Sequence, residues 1–364
     1  MLMILFSKFV INENIESKQL NLSFNVKKIL SIDGGGIRGV LPAAIISHLE
    51  RRLQTENKNQ DLRVADFFDL MSGTSAGGIL TCLYLTPKNG TIDNRPKYTA
   101  KEILDFYTEL GPLLFKRTPA YLLKSGFGLF RSRYSEDALY EFSNKIVGDA
   151  YISGVLKDCL ITAYDLSSRK ALLFSRYSTI KYGDMADYKL CDIVKSTSAA
   201  PSYFTPAQIF AKDKSPRHLV DGGVYANNPA MCTIVEAKKL WPSTNVSDYF
   251  MISAGTGKVI KPYHYHKTRH FGYIHWLNPI LDILMSSVAE TVDYQSQQLF
   301  RINGVPENYI RIEPPLLTAD IRIDKASRSN IRKLESAAQH YIDHNSELFD
   351  SLCKRLSEKV VKND

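Results

Sequence analysis

The stretch Phe67–Leu80, FFDLMSGTSAGGIL, carries an apolar run into a serine set between glycines and then into a second apolar run. Gly73 and Gly77 flank Ser75 at two-residue distance, the G-x-S-x-G pattern of a nucleophile elbow. Such a turn joins a strand to a helix and lifts the serine clear of the backbone. It aims the hydroxyl at the helix N-terminus, where free N–H groups favour developing negative charge. The pattern therefore predicts a strand–turn–helix unit, and with it an α/β fold. A tight turn with a capping serine would give the same letters, and an elbow serine ordinarily hands its proton to a histidine. The rest of the chain must supply both the context and the base.

The chain has 364 residues, 44% of them hydrophobic, which is ample for a large core. Its formal net charge of +8 favours anionic surfaces, but the basic residues are scattered and do not choose among membranes, nucleic acid and acidic proteins. Five cysteines, Cys82, Cys159, Cys191, Cys232 and Cys353, are far apart with no C-x-x-C pair, so neither a disulfide framework nor a zinc site is expected. No run reaches the roughly 20 apolar residues of a membrane helix. The opening MLMILFSKFV is short and lacks a positive n-region, and it reads as an N-terminal extension rather than a signal peptide.

Residues 1–26 read as extension and linker, and 321–364 as a C-terminal helical segment packed on one domain with 27–320, whose stretch 29–231 holds the motifs quoted below. Val26–Ile32, Asp66–Ser72, Leu160–Tyr164, Ala171–Phe174, His218–Val220 and Asp248–Ala254 are predicted strands. Val40–Gln54, Gly77–Tyr84, Asp192–Ala200, Pro229–Leu240 and Ile331–Leu356 are predicted helices. This mixed order suits a largely parallel sheet. Residues 87–135, with Tyr121–Leu123 and Phe127–Phe130, read either as a membrane-facing lid or as a helical insertion with buried aromatics. Met285, Val288 and Val292 are spaced as a buried helix face, which reads as core packing, with the wall of a lipid tunnel as the alternative.

Two more motifs carry chemistry. Ser31–Gly39, SIDGGGIRG, satisfies G-x-G-x-x-G between a strand and a helix. A dinucleotide site would need an acidic residue at a strand end about 20 residues on. Glu50 is near that distance but falls in the predicted helix beside Arg51 and Arg52. The other reading is an oxyanion hole, with uncovered glycine N–H groups and the charge of Arg38 as donors. Val220–Pro229, VDGGVYANNP, places Asp221 at a strand end before Gly222 and Gly223. An aspartate there is often a turn former, but in this company it is the best candidate for the missing base. His218 is too close to Asp221 on one strand to reach the elbow. His264, His266, His270 and His275 read as a surface loop. Gly255–Lys258 fails as a phosphate loop, because Ile252 and Val259 stand where glycine and Ser/Thr are needed.

The order SIDGGGIRGV, GTSAGG, STSAAPSYF at Ser196–Phe204 and LVDGGVYANNP resembles the patatin-like phospholipase family, and the likeness continues through SAGTGK and NPILDILMSSVAETVDYQSQQLF. The resemblance implies a three-layer α/β/α patatin-like fold with a mainly parallel central sheet. It implies a Ser–Asp dyad of Ser75 and Asp221, and an oxyanion hole from Gly34, Gly35, Gly36 and Arg38. Gly39, Gly73, Gly77, Gly222 and Gly223 match its motif glycines. The function it implies is lipid acyl hydrolysis of the phospholipase A or lysophospholipase type at a membrane surface, with no cofactor, no metal and no nucleic-acid partner. The expected location is cytoplasmic or peripheral to a membrane. Some members are host-directed effectors, so delivery by a route without a signal peptide is a further expectation.

Overall fold

The computed structural model describes residues 26–88, 95–116, 132–259 and 262–358. The opening apolar stretch, most of the predicted linker, and the aromatic runs Tyr121–Leu123 and Phe127–Phe130 lie outside the described residues. Eight strands form one sheet: β1 (Lys27–Ile32), β2 (Leu70–Gly73), β3 (Asp158–Asp165), β4 (Lys170–Ser175), β5 (Ala207–Phe210), β6 (Pro216–Asp221), β7 (Tyr249–Ala254) and β8 (Tyr309–Ile312). β3, β2, β1, β7 and β8 run parallel as consecutive neighbours. β4, β6 and β5 add antiparallel pairings at the β3 end.

The parallel strands are buried on both faces, as crossovers covered by helices require. Ile29, Leu70 and Met251 stand in register on one face, against α3 (Ala230–Leu240) and the end of α4 (Tyr273–Ile302). Leu30, Met71, Phe250 and Ile252 point the other way, into the cluster built with α1 (Val40–Glu56), α2 (Ala76–Leu85), α5 (Arg328–His344) and α6 (Ser346–Ser357). The architecture is thus helix–sheet–helix, as anticipated, and Ile331, Leu334, Phe349 and Leu352 of the C-terminal segment share the larger core.

Two boundaries differ from the sequence reading. The run Asp66–Ser72 is not one strand: Val64–Phe67 is a helical turn, and only Leu70–Gly73 joins the sheet. The Asp66 carboxylate accepts the Arg63 N–H at 2.8 Å and pairs with the distant Arg95, which holds the turn. Ile331–Leu356 is two helices, broken at Asn345, whose side-chain amide donates to the Tyr341 carbonyl at 2.7 Å and closes the first of them.

One pairing detail places the chemistry. β2 runs parallel to β3, with Gly73 opposite Ile161, while β6 runs antiparallel to it, with Asp221 opposite Ala163. β4 occupies the other edge of β3. β2 and β6 therefore share one edge and run head-on, so that their C-terminal ends meet across Thr162. Thr162 ties that junction: its hydroxyl lies 2.7 Å from the Thr74 hydroxyl, which donates at 2.6 Å to the Ala226 carbonyl.

Beneath the junction, Asp33 at the end of β1 is buried and held bidentately by Arg311 of β8, at 3.1 and 2.6 Å. Arg311 also binds Glu313 and donates to the Ser253 hydroxyl at 2.8 Å. Removing one partner of a buried pair leaves an uncompensated charge. Arg311→Leu is expected to lower the free energy of urea unfolding by about 3 kcal/mol; an unchanged denaturation midpoint would show that the pair does not anchor the loop after β1.

Candidate active site

Ser75 sits between β2 and α2 with φ 53° and ψ −118°, a left-handed backbone for a residue with a side chain. Such a conformation costs about 1–3 kcal/mol and persists only where the surroundings enforce it. They do so here by close approach. A Cβ at Gly73 would come within 2.1 Å of the Gly77 carbonyl oxygen, and one at Gly77 within 2.1 Å of the Ile32 carbonyl oxygen. The Ser75 N–H donates to the Thr197 hydroxyl at 2.9 Å, so STSAAPSYF is the brace of the elbow. Gly73→Ala is expected to unfold the elbow or to lower the melting temperature by several degrees; thermal melts of soluble protein would read it, and a wild-type melt would refute the packing argument.

Asp221 lies at the C-terminal end of β6 and is 2% exposed. Its Oδ1 accepts the Gly223 N–H at 2.7 Å, while Oδ2 is buried with no hydrogen-bond partner among the described residues. Burial lifts its pKa to about 7, against the smaller opposing pull of the Ser75 hydroxyl and the Gly223 N–H. The hydroxyl is near enough to act on the carboxylate, although the two form no hydrogen bond of ordinary geometry. Ser75 and Asp221 line the same narrow, mostly apolar pocket with Ile79, Tyr107, Phe115 and Met285. The sequence placed these two residues more than a hundred positions apart, and the head-on meeting of β2 and β6 brings them together.

The glycine loop abuts the serine. A Cβ at Gly34 would lie 3.3 Å from the Ser75 Cβ. Gly34 itself is corrected as an oxyanion donor, because its N–H already donates to the Asn227 carbonyl at 2.9 Å. Among the described residues the Gly35 and Gly36 N–H groups have no hydrogen-bond partner. Gly36 has φ +57°, and a Cβ there would come 2.3 Å from the Ile323 carbonyl oxygen. That oxygen accepts the Ile37 N–H at 2.8 Å, which makes Ile323 a brace that the sequence did not reveal. Gly39 packs beside Tyr107 and Ala76, and Gly222 against Thr162.

Arg38 is buried, and its Nε and Nη1 have no partner among the described residues. Burial pulls its pKa down, while Glu313, Asp282 and Asp33 push it up. It faces a second, wider cavity of about 830 Å³ that also reaches Asp33, Asp221, Met285 and Ile323. Its place is therefore beside the narrow pocket, as a charge at the junction, rather than inside it. The narrow pocket has about 40 Å³ of free space, room for a few waters only. Met285 lines both cavities and forms a wall between the two spaces, in keeping with the cavity alternative, while Val292 packs against the smaller core cluster as expected of a core face. Spacing alone does not separate a core face from a cavity wall.

The alternative site readings fail on contacts. Glu50 is buried, and its carboxylate accepts the N–H groups of Val64 and Ala100, both at 2.8 Å, so it is spent on two helix starts and not on a ribose. His218 faces outward, 2.9 Å from the Ser167 hydroxyl. His264, His266, His270 and His275 are exposed, with His275 inside α4, and no group of residues suited to a metal ion occurs among the described residues.

A serine on a strand–helix elbow, an aspartate at a converging strand end and a glycine loop alongside stand together in an α/β/α fold. The sequence model of the patatin-like phospholipase family matches residues 30–234. The chain belongs to that family. Patatin-like protein 4 of Arabidopsis thaliana is 30% identical, over 88% of this chain and 84% of that protein. Patatin-like protein 2 of the same plant is 34% identical, over 84% and 80%. A protein of Solanum tuberosum named Probable inactive patatin-3-Kuras 1 is 30% identical, over 91% of each. Among solved structures, human GIVD cytosolic phospholipase A2 is similar at a TM-score of 0.49 and 10% identity, over 93% of this chain and 60% of that one.

Proposed function

We propose that this protein is a lipid acyl hydrolase that cleaves fatty-acyl esters of membrane glycerolipids through a Ser75–Asp221 dyad. The observation that carries the reading is the buried Asp221 carboxylate, with one oxygen unpartnered, beside the elbow serine in an apolar pocket. As a free carboxylate, aspartate is a weak base toward a hydroxyl. Burial removes much of that handicap by raising its pKa to about 7.

In the proposed cycle Asp221 takes the Ser75 proton as Ser75 Oγ attacks the ester carbonyl. The Gly35 and Gly36 N–H groups receive the oxyanion, with the Arg38 charge nearby. The alcohol leaves with the proton returned by Asp221, and an acyl-enzyme remains. Asp221 then deprotonates water, which attacks the acyl carbonyl and releases the fatty acid and Ser75. Every step uses residues of this chain alone, so calcium independence is expected. The apolar pocket suits the acyl chain once Met285 moves, since a thioether side chain repacks readily. The wide cavity suits the polar remainder of the lipid, with phospholipase A or lysophospholipase activity as the outcome.

A purely lipid-binding role is the second reading, favoured by the relative named as probably inactive. Retention of Ser75, Asp221 and the glycine loop speaks against it here. Galactolipids and other acyl esters are alternative substrates of the same chemistry. We place the work at a bilayer surface from the cytoplasmic side. No helix among the described residues is long and apolar enough to cross a membrane. Incubating labelled phospholipid and galactolipid vesicles with the protein tests the reading: free fatty acid and a lyso product are expected, and their absence would leave the binding role.

A further inference from the structure

The long helix α4 has two faces that differ in what they meet. Asp282, Met285, Ser286, Ala289 and Asp293 look into the wide cavity beside the site. On the other side, Trp276, Ile280 and Ile283 fall at helical spacing i, i+4 and i+7, and Leu284 stands at the edge of that stripe, where it also lines the wide cavity. All four are exposed, Ile280 to 48% and Leu284 to 47%. Isolated exposed apolar residues need no explanation, but four on one stripe of one helix do.

The segment leading into the helix has the composition of a bilayer interface. Tyr263 and Tyr265 are exposed, as are Lys267 and Arg269. Between Pro262 and Leu284 the sole acidic residue is Asp282, which accepts the Tyr263 hydroxyl at 2.8 Å on the cavity side. Amphipathic aromatics, fixed positive charge and an apolar helix stripe together match an anionic lipid surface, into which such a helix lies in-plane. Beyond Leu284 the same stripe turns polar, through Ser287 and Thr291, so the apolar patch ends where a shallow insertion would end.

We propose that the exposed stripe Trp276–Ile280–Ile283–Leu284, with the aromatic and basic segment before it, is the surface that docks this protein on an anionic bilayer. It rests on the lipid-ester reading of the site. The position couples docking to catalysis. A bilayer seated on the outer face of α4 lies one helix diameter, about 10 Å, from the cavity under its inner face. Met285, on that inner face, is also a wall of the pocket that holds Ser75 and Asp221.

The chain has two tryptophans, Trp241 and Trp276, which makes the test direct. In a Trp241→Phe protein, Trp276 emission is expected to shift to the blue on mixed phosphatidylcholine–phosphatidylserine vesicles. Ile280→Glu/Ile283→Glu is expected to lower vesicle hydrolysis at least ~10-fold, because two apolar side chains that would enter the bilayer become charged. The same variant should hydrolyse a water-soluble short-chain ester like wild type. No shift together with wild-type vesicle turnover by the double variant would overturn the proposal. So would a stripe that is covered by residues 1–25 or by a second copy, seen as vesicle binding gained on deleting that segment, or as a dimer that the double substitution dissociates. If wild type hydrolyses neither substrate, the function reading fails, while the Trp276 shift still decides docking.

Discussion

Replacing Ser75 with alanine is expected to reduce ester hydrolysis by about 10³-fold or more, with the melting temperature at or above the wild-type value. The size follows from the role: a nucleophile has no substitute in the site, and what survives its loss is binding and oxyanion stabilisation. The stability claim follows from the backbone. Alanine keeps the Cβ, and the strained φ of 53° is enforced by Gly73, Gly77 and the Thr197 hydroxyl rather than by the serine side chain. Release of fatty acid from phospholipid, read beside a thermal melt, checks both. Wild-type turnover would remove Ser75 from the mechanism, and a collapsed melt would mean that the hydroxyl is structural.

Asp221→Asn is expected to act in opposite directions on activity and stability. Asparagine cannot accept the serine proton, so hydrolysis should fall by a factor on the order of 10³. Stability follows from linkage. The folded-state pKa of about 7 stands above the ordinary value of 3.8. Below pH 3.8 aspartate is protonated in both states and contributes no difference. Between pH 3.8 and 7 the unfolded chain has released a proton that the folded protein still holds, so this group's contribution falls as pH rises. Above pH 7 the deficit is constant, on the order of 4 kcal/mol. The variant should therefore match wild type near pH 4 and be the more stable protein at pH 8. Its Oδ1 still accepts the Gly223 N–H, so no other contact is lost. Equal denaturation midpoints at pH 8 would contradict the buried carboxylate. The wild-type kcat/KM should rise with pH through a midpoint near 7, because only ionised Asp221 is a base.

Much of the site was legible because its residues announce themselves locally. Gly73, Ser75 and Gly77 mark a turn that few other sequences require, and Asp221 before two glycines marks a strand end. The sequence did not contain the reason these two meet, since the head-on approach of β2 and β6 along β3 is a matter of register. Thr162 and Ile323 have no pattern of their own, since each acts through one long-range hydrogen bond, and Thr197 stood in the quoted STSAAPSYF without its bond to the Ser75 N–H being legible. The misplaced strand start at Asp66 shows the competing effect, where a local carboxylate–backbone bond and an arginine from another segment overrode an apolar run. Gly34 was credited with a donor that the fold spends on Asn227. Motif membership gave its position, but only three-dimensional contacts show which N–H remains free.

The central claim is that Ser75, activated by Asp221 with no histidine, is the nucleophile. It is tested most directly by treating the wild-type and Asp221→Asn proteins with an alkyl fluorophosphonate and mapping the adduct by peptide mass spectrometry. The account predicts one phosphonyl group on Ser75 in the wild type, formed faster as pH rises through about 7, and slow labelling without that dependence in Asp221→Asn. An adduct on another residue, or loss of activity with Ser75 unmodified, would contradict it.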